Sequence, residues 1–226
     1  MLTFYFHPLS LFSRRFCLAL LEKEIPFEPT IVDLSSRQQF QPDFLALNPF
    51  HHVPIIVEDG FRVIESIAIL DYIERQYPHP SLIPAENQEQ TTMRMTQMVT
   101  VNELVPKLPK LINASEFPLT NDVSTQLSTA LTFLNDGLSN RVYFGGEHLN
   151  LADIVVGSTV PLFCRLGLDI SAYPSLHNWC SEITDRPAWQ ITEPSDADFD
   201  AWKSLLQRWI RIASKRQQRK QTAAAQ

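Results

Sequence analysis

The segment YPHPSLIPAENQ, residues 77–88, contains Pro78, Pro80 and Pro84. Each proline lacks a backbone N–H and fixes φ, so no continuous helix crosses this stretch, and it reads as a stiff linker. The chain changes character across it. On the N-terminal side, strand and helix signals alternate. LTFYF is a short apolar strand, and LFSRRFCLALLEKE has helical periodicity through Phe12, Phe16, Leu20 and Leu21. FEPTIVDL is a second strand, with Pro29 placing it at an edge or a strand start. RQQFQPDFLALN reads as a short, irregular helix. VPIIVED and FRVIE are two strands joined by a turn at Asp59-Gly60, a hairpin signal. SIAILDYIERQY is a helix with Ile67, Leu70 and Ile73 on one side.

After the linker no strong strand signal remains. Helices are predicted over 87–113, 121–139, 151–166, 175–184 and 198–214. LADIVVGSTVPLFCRLGL is apolar nearly all round, which marks a helix at the centre of a bundle. Asn150 before it reads as an N-cap, with Asp153 reaching back to complete a capping box, a folding device and not a catalytic pair. The expected fold is an α/β domain of order βαβαββα over 1–77, a linker over 78–86, and an all-α helical bundle over 87–212. A basic, disordered tail is expected over 213–226.

The charge pattern narrows the function classes. The net charge is −6, yet from Lys203 onward there are seven basic residues and no acid. The body is therefore strongly acidic, which argues against a nucleic-acid surface. The basic end reads as a last helix with cations at its favourable C-terminal end. No apolar run is long enough to cross a membrane, and the start reads as a buried strand and not as a signal peptide. Three cysteines with no paired spacing argue against a disulfide framework and fit a reducing, cytoplasmic setting. No metal is expected: His51 and His52 are adjacent, and neighbours in an extended chain point to opposite faces.

Three places carry chemistry. Val53-Pro54 opens a strand. A proline there is ordinarily trans; in the cis form it bends the chain so that the Val53 N–H and C=O can pair with a bound peptide. Glu65-Ser66 stands just ahead of a helix. The helix start offers unpaired N–H groups to a carboxylate, and Glu65 can hold an amine. A ligand with both groups at one end is an α-amino acid or a γ-glutamyl group. Ser10, or alternatively Ser13, lies at the start of the first helix. Lowering a thiol pKa by about 2 units takes about 2.7 kcal/mol. A hydroxyl donor to an anion supplies about 1.5–3 kcal/mol, and a helix N-terminus adds about 0.3–1 kcal/mol. A serine there can activate a bound thiol without being a nucleophile itself.

Four segments, HPLSLFSRRFCLALLEKEIPFE, FLALNPFHHVPIIVEDGFRVIESIAILDYIERQYP, YFGGEHLNLADI and YPSLHNWCSEITDRPAW, occur in an order and spacing that resembles the cytosolic glutathione S-transferases. The resemblance covers most of residues 2–190. It implies a thioredoxin-like first domain, an all-helical second domain, a homodimer, and glutathione as co-substrate. It also implies specific roles. Ser10 matches the thiolate-stabilising serine of classes similar to theta and phi. Val53, with Pro54 in cis, would pair with the cysteinyl part, and Glu65 and Ser66 would bind the γ-glutamyl end. His52 stands where the glycine carboxylate is approached, and His51 departs from the glycine common in that motif.

The expected activity is conjugation of glutathione to small hydrophobic electrophiles, with isothiocyanates and peroxides among the candidate substrates. The electrophile pocket is placed between the domains, at Leu9, Phe12, Met98 and Asn102, with Met95 and Val105 nearby. Pro106 and Pro109 should kink or end the helix that carries them. Arg14 reads as an exposed helix arginine. Two alternatives stand beside this one: a non-catalytic binding module on the same scaffold, and a glutathione-dependent thiol reductase using Cys17, which otherwise reads as an inert core cysteine.

Overall fold

The computed structural model describes residues 1–114, 118–139 and 141–224. The first part is a four-stranded sheet of order β2-β1-β3-β4, built from β1 (Leu2–Phe6), β2 (Glu28–Ile31), β3 (Ile55–Glu58) and β4 (Phe61–Ile64). β1 and β2 run parallel, whereas β1–β3 and β3–β4 are antiparallel. A parallel pair needs a long crossover. Helix α1 (Leu11–Glu22) supplies it. β2 is an edge strand, where Pro29 leaves no inner ladder bond unmade. Asp59 and Gly60 both take positive φ, 49° and 82°, as a two-residue hairpin requires.

Both faces of the sheet are covered. Ile55 and Ile56 are neighbours on β3 and point to opposite faces, yet both are fully buried. Ile56 joins Leu2, Phe4, Phe16 and Leu70 in the main core under α1 and α3 (Ser66–Gln76). Ile55 packs with Val32, Phe44 and Val53 under α2 (Pro42–Leu47). This smaller cluster seats the side chain of Val53 and so fixes the bend that follows.

The second part is helical: α4 (Asn87–Val99), α5 (Leu108–Ile112), α6 (Asn121–Leu138), α7 (Leu151–Arg165), α8 (Pro174–Thr184), α9 (Pro187–Thr192) and α10 (Asp196–Ala224). α7 is the central helix, with every residue from Leu151 to Val160 buried. The expected capping box is present. The Asn150 side chain accepts from the Ala152 N–H at 2.9 Å, and Asp153 accepts from the Asn150 N–H at 3.0 Å. Asp153 also accepts from the Phe144 N–H and the Trp179 indole. Gly157 lets α9 approach closely: a Cβ there would lie 2.8 Å from the Trp189 ring, whose indole donates to the Gly157 carbonyl at 2.8 Å. α1 rests on α7, and a buried ion pair, Lys23 with Glu74 at 2.7 Å, ties α1 to α3.

Four sequence expectations are corrected. The helix predicted over 87–113, with a kink or end at Pro106 and Pro109, breaks earlier than those prolines, at Thr100. After α4 comes a wide π turn over Thr100–Leu104, then a 3-10 turn over Val105–Lys107, then α5, with a proline in the first turn of each of the last two. α9 was not predicted, because six residues are too few to display a period. The last helix does not end before a tail at 213: its backbone stays helical to Ala224, through a run of Lys, Arg, Gln and Ala that are good helix formers. The last two residues of that segment, 225–226, lie outside the described residues. Arg14 is buried, not exposed, and pairs with Glu193 at 2.5 Å.

Candidate functional site

A cavity of about 620 Å3 opens between the sheet and the helical part. Its polar side is set by the loop ahead of β3. Asn48, almost wholly buried, organises that loop. Its amide donates to the His52 carbonyl at 2.9 Å and accepts from the Phe50 N–H at 3.0 Å, while its backbone carbonyl accepts from the His51 N–H at 3.1 Å. His51 takes φ 61° and lays its ring against Phe40, with centroids 4.8 Å apart. The Val53-Pro54 peptide is cis. Val53 lies just outside β3, and among the described residues its N–H and C=O have no turn, loop or cap hydrogen bond.

The start of α3 forms the next wall. Glu65 holds φ 69°, a conformation costing about 1–3 kcal/mol for a residue with a side chain. In that conformation Glu65 caps the helix through its carbonyl, which accepts from the Ile69 N–H at 2.9 Å. Its carboxylate stays exposed beside the cavity. Ser66, expected just ahead of the helix, is instead its first residue. It is nearly buried, and its Oγ accepts from the Arg15 guanidinium at 3.1 Å. Arg15 reaches this place from α1 and is itself fully buried.

Among the described residues, three buried polar atoms in this wall have no partner: Arg15 Nη2, Gln39 Oε1 and His51 Nδ1. Leaving such a group unmatched costs about 1–3 kcal/mol, and their convergence on one cavity marks it as a place that a polar ligand completes. Burial, with no acid opposing it, pulls the Arg15 pKa down to about 10, so the guanidinium stays charged at neutral pH.

The structure brings His52, Val53, Pro54, Glu65, Ser66 and Phe12 together in this cavity. It does not bring Ser10 or Leu9 into it. Both line a crevice of about 20 Å3 against Phe199 and Trp202 of α10, room for little more than a water. Ser10 caps α1, its Oγ accepting from the Ser13 N–H at 3.3 Å. Ser13 is fully buried, and its Oγ accepts from the His7 N–H at 3.4 Å. Met98 is half-buried and Asn102 exposed, and neither lines the cavity. Its apolar side is instead Val101 with Leu206 and Trp209 of α10. The spacing of Leu206 and Trp209, three residues apart on one helix face, was the sequence signal for these two. Gln39 and Asn48 carried no such signal.

Cys17 lines a different cavity of about 500 Å3, with His7, Arg14 and Thr192. Burial pushes its thiol up to about 11. Among the described residues no group of three or more His, Cys, Asp or Glu is placed to hold a metal ion, and no helix is long and apolar enough to cross a membrane.

The chain and its fold are similar to known proteins. Residues 4–81 match the model of the glutathione S-transferase N-terminal domain, and residues 73–187 match that of the C-terminal domain. Maleylacetoacetate isomerase of Rattus norvegicus is 27% identical over 189 residues, 80% of this chain and 87% of that protein. A delta-class glutathione transferase of Nilaparvata lugens superposes with a TM-score of 0.79 at 25% identity, covering 93% of this chain and all of that one. A glutathione S-transferase of Rhodospirillum rubrum shares the fold, with a TM-score of 0.73 at 24% identity over 87% of this chain and 94% of that one. The βαβαββα sheet, the helical part and these two domain matches lead to one conclusion: the chain belongs to the glutathione S-transferase family, an enzyme family that takes glutathione as co-substrate.

Proposed function

We propose that the protein binds glutathione in the 620 Å3 cavity and adds its thiolate to small hydrophobic electrophiles, a detoxifying conjugation carried out by a cytoplasmic homodimer. Isothiocyanates and peroxides belong to the substrate classes proposed. The observation carrying this reading is the convergence of the Val53-Pro54 bend, the Glu65-Ser66 pair and three unmatched polar atoms on one space beside an apolar wall. Val53 offers its free backbone to the cysteinyl part, Glu65 and Ser66 hold the γ-glutamyl end, and His52 stands towards the glycine carboxylate. Ser10 supplies the hydroxyl that favours thiolate, aided by the α1 N-terminus. Its present place, in a crevice of about 20 Å3 and outside the cavity, requires the turn to shift on binding. Residues 1–77 then form the glutathione-binding unit and 87–212 the helical unit, joined by 78–86.

The test is direct binding of glutathione by calorimetry, with a panel of aryl halides, isothiocyanates and hydroperoxides assayed for conjugation or reduction. Binding with turnover of one of these classes is expected. Absence of glutathione binding removes the reading. Binding without turnover of any electrophile leaves the alternative of a non-catalytic module. A second reading, glutathione-dependent isomerisation, draws on the similarity to maleylacetoacetate isomerases over 80% of the chain. It predicts turnover of maleylacetoacetate in the same assay.

A further inference from the structure

Cys164 and Cys180 are far apart in the chain, and their spacing carries no motif, yet the fold makes them neighbours. Cys164 sits in the last turn of α7 and Cys180 within α8, and the two helices pack against each other. The backbone at both places is fixed. The Cys164 carbonyl accepts from the Gly167 N–H at 2.9 Å and the Phe163 carbonyl from the Leu168 N–H at 3.0 Å, with Gly167 at φ 101°, which closes α7 in a Schellman motif. The Cys180 carbonyl accepts from Thr184 Oγ1 at 2.9 Å. Both carry free thiols, and the thiols are joined by a hydrogen bond. Cys164 is half-buried, so solvent reaches it, whereas Cys180 belongs to the core behind it.

The bond gives the two sulfurs different roles. A donor favours the thiolate that accepts from it. The Cys180 thiol pulls the Cys164 pKa down, against burial and the nearby Asp169, while Cys180 holds its own proton and is raised. An exposed sulfur with thiolate character beside a second thiol is the arrangement of an attacking and a resolving cysteine.

We propose that Cys164 and Cys180 are a redox-active pair, a modification site at which a hydroperoxide makes a reversible disulfide between α7 and α8. The Cys164 sulfur attacks one peroxide oxygen and the O–O bond breaks. Sulfur keeps that oxygen as a sulfenic acid, and the other oxygen leaves as an alcohol, or as water from hydrogen peroxide, with the thiol proton. The Cys180 sulfur then attacks the sulfenic sulfur. The S–S bond forms, the S–O bond breaks, and hydroxide leaves as water with the Cys180 proton. Two thiols lose two electrons and the peroxide gains them. Two molecules of a small thiol restore both cysteines and depart as their own disulfide. With the sulfurs already in hydrogen-bond contact, closing the bridge takes side-chain rotation and no separation of the helices. The bridge pins the end of α7, whose Ser158 and Leu162 line the crevice beside Ser10. Among the described residues neither cysteine lines the 620 Å3 cavity, so the inference stands apart from the glutathione reading.

Mass spectrometry tests it. Reduced protein is exposed at neutral pH to hydrogen peroxide, for long enough to oxidise an ordinary free thiol, then denatured and alkylated with iodoacetamide. Of the three cysteines only Cys17 is expected to take the label, and the tryptic peptides carrying Cys164 and Cys180 are expected to be joined. Dithiothreitol should restore all three labels. Cys17, pushed from 9.0 up to about 11, should lag by about a hundredfold. Cys180→Ala removes the resolving thiol: dimedone should then trap the Cys164 sulfenic acid. Should circular dichroism show that variant unfolded, Cys164→Ser at the half-buried position carries the test, and Cys180 should then stay open to alkylation after peroxide. Three labels on treated wild type, a bridge that includes Cys17, or sulfinic acid at Cys164 with Cys180 still free each overturns the proposal. Oxidation of Cys180 in Cys164→Ser as fast as in wild type overturns it too.

Discussion

At Ser10 the hydroxyl oxygen accepts from the Ser13 N–H, while among the described residues its proton has no acceptor. That leaves one donor at the α1 N-terminus for an incoming anion. Ser10→Ala should lower kcat/KM for conjugation by about tenfold to a hundredfold, the value of one hydrogen bond to a charged group. Glutathione affinity should change little if the tripeptide is held, as proposed, by Val53, Glu65 and Ser66. Parallel binding and rate measurements separate the two effects, and an unchanged rate removes Ser10 from the reaction. Cys17 presents the opposite case. Its thiol is pushed from 9.0 up to about 11 by burial, so at pH 8 its thiolate fraction is about a hundredfold below that of an ordinary thiol. Iodoacetamide should label it correspondingly slowly at pH 8 and faster as pH rises towards 11. Because the folded value is raised, the stabilisation linked to this group is whole below pH 9.0 and fades as pH climbs through about 11. Rapid labelling at pH 7 in the folded protein would revive the reductase alternative.

Among the elements, α7 depends on one buried carboxylate. Asp153 accepts from the Phe144 and Asn150 N–H groups and the Trp179 indole, while burial pushes its pKa up to about 7. Asp153→Ala would strand three donors at about 1–3 kcal/mol each, a sum comparable to the whole stability of a domain. Urea denaturation should show a loss of about 4 kcal/mol or more, or no folded protein at all. This device was legible in the sequence because a capping box is local: Asn150 and Asp153 are three residues apart. The hairpin at Asp59-Gly60 was legible for the same reason, as was a break in the helix near Pro106 and Pro109, though not its onset at Thr100. The short α9 was not, and neither was the burial of Arg14, whose partner Glu193 is brought to it only by the tertiary fold. Gln39 and Asn48 escaped notice likewise: a glutamine and an asparagine in a polar stretch look solvated until the chain folds over them. The Val53, Glu65 and Ser66 positions stood out because turn chemistry and helix starts leave marks within a few residues.

Across the whole molecule, the cavity has two makers. Residues before Ile67 supply its polar end, and Leu206 and Trp209, near the end of the chain, supply much of its apolar side. Trp209→Ala should raise KM for bulky aromatic electrophiles severalfold and leave the Kd of glutathione within about twofold, since a half-exposed aromatic wall contributes by area. Equal losses in both would show that α10 shapes the peptide end as well. The partition has a consequence for how such a protein diversifies. If the polar end holds the cosubstrate, as proposed, α10 can be retailored to admit new molecules while that end goes untouched, so selectivity and thiol delivery are free to change at separate rates.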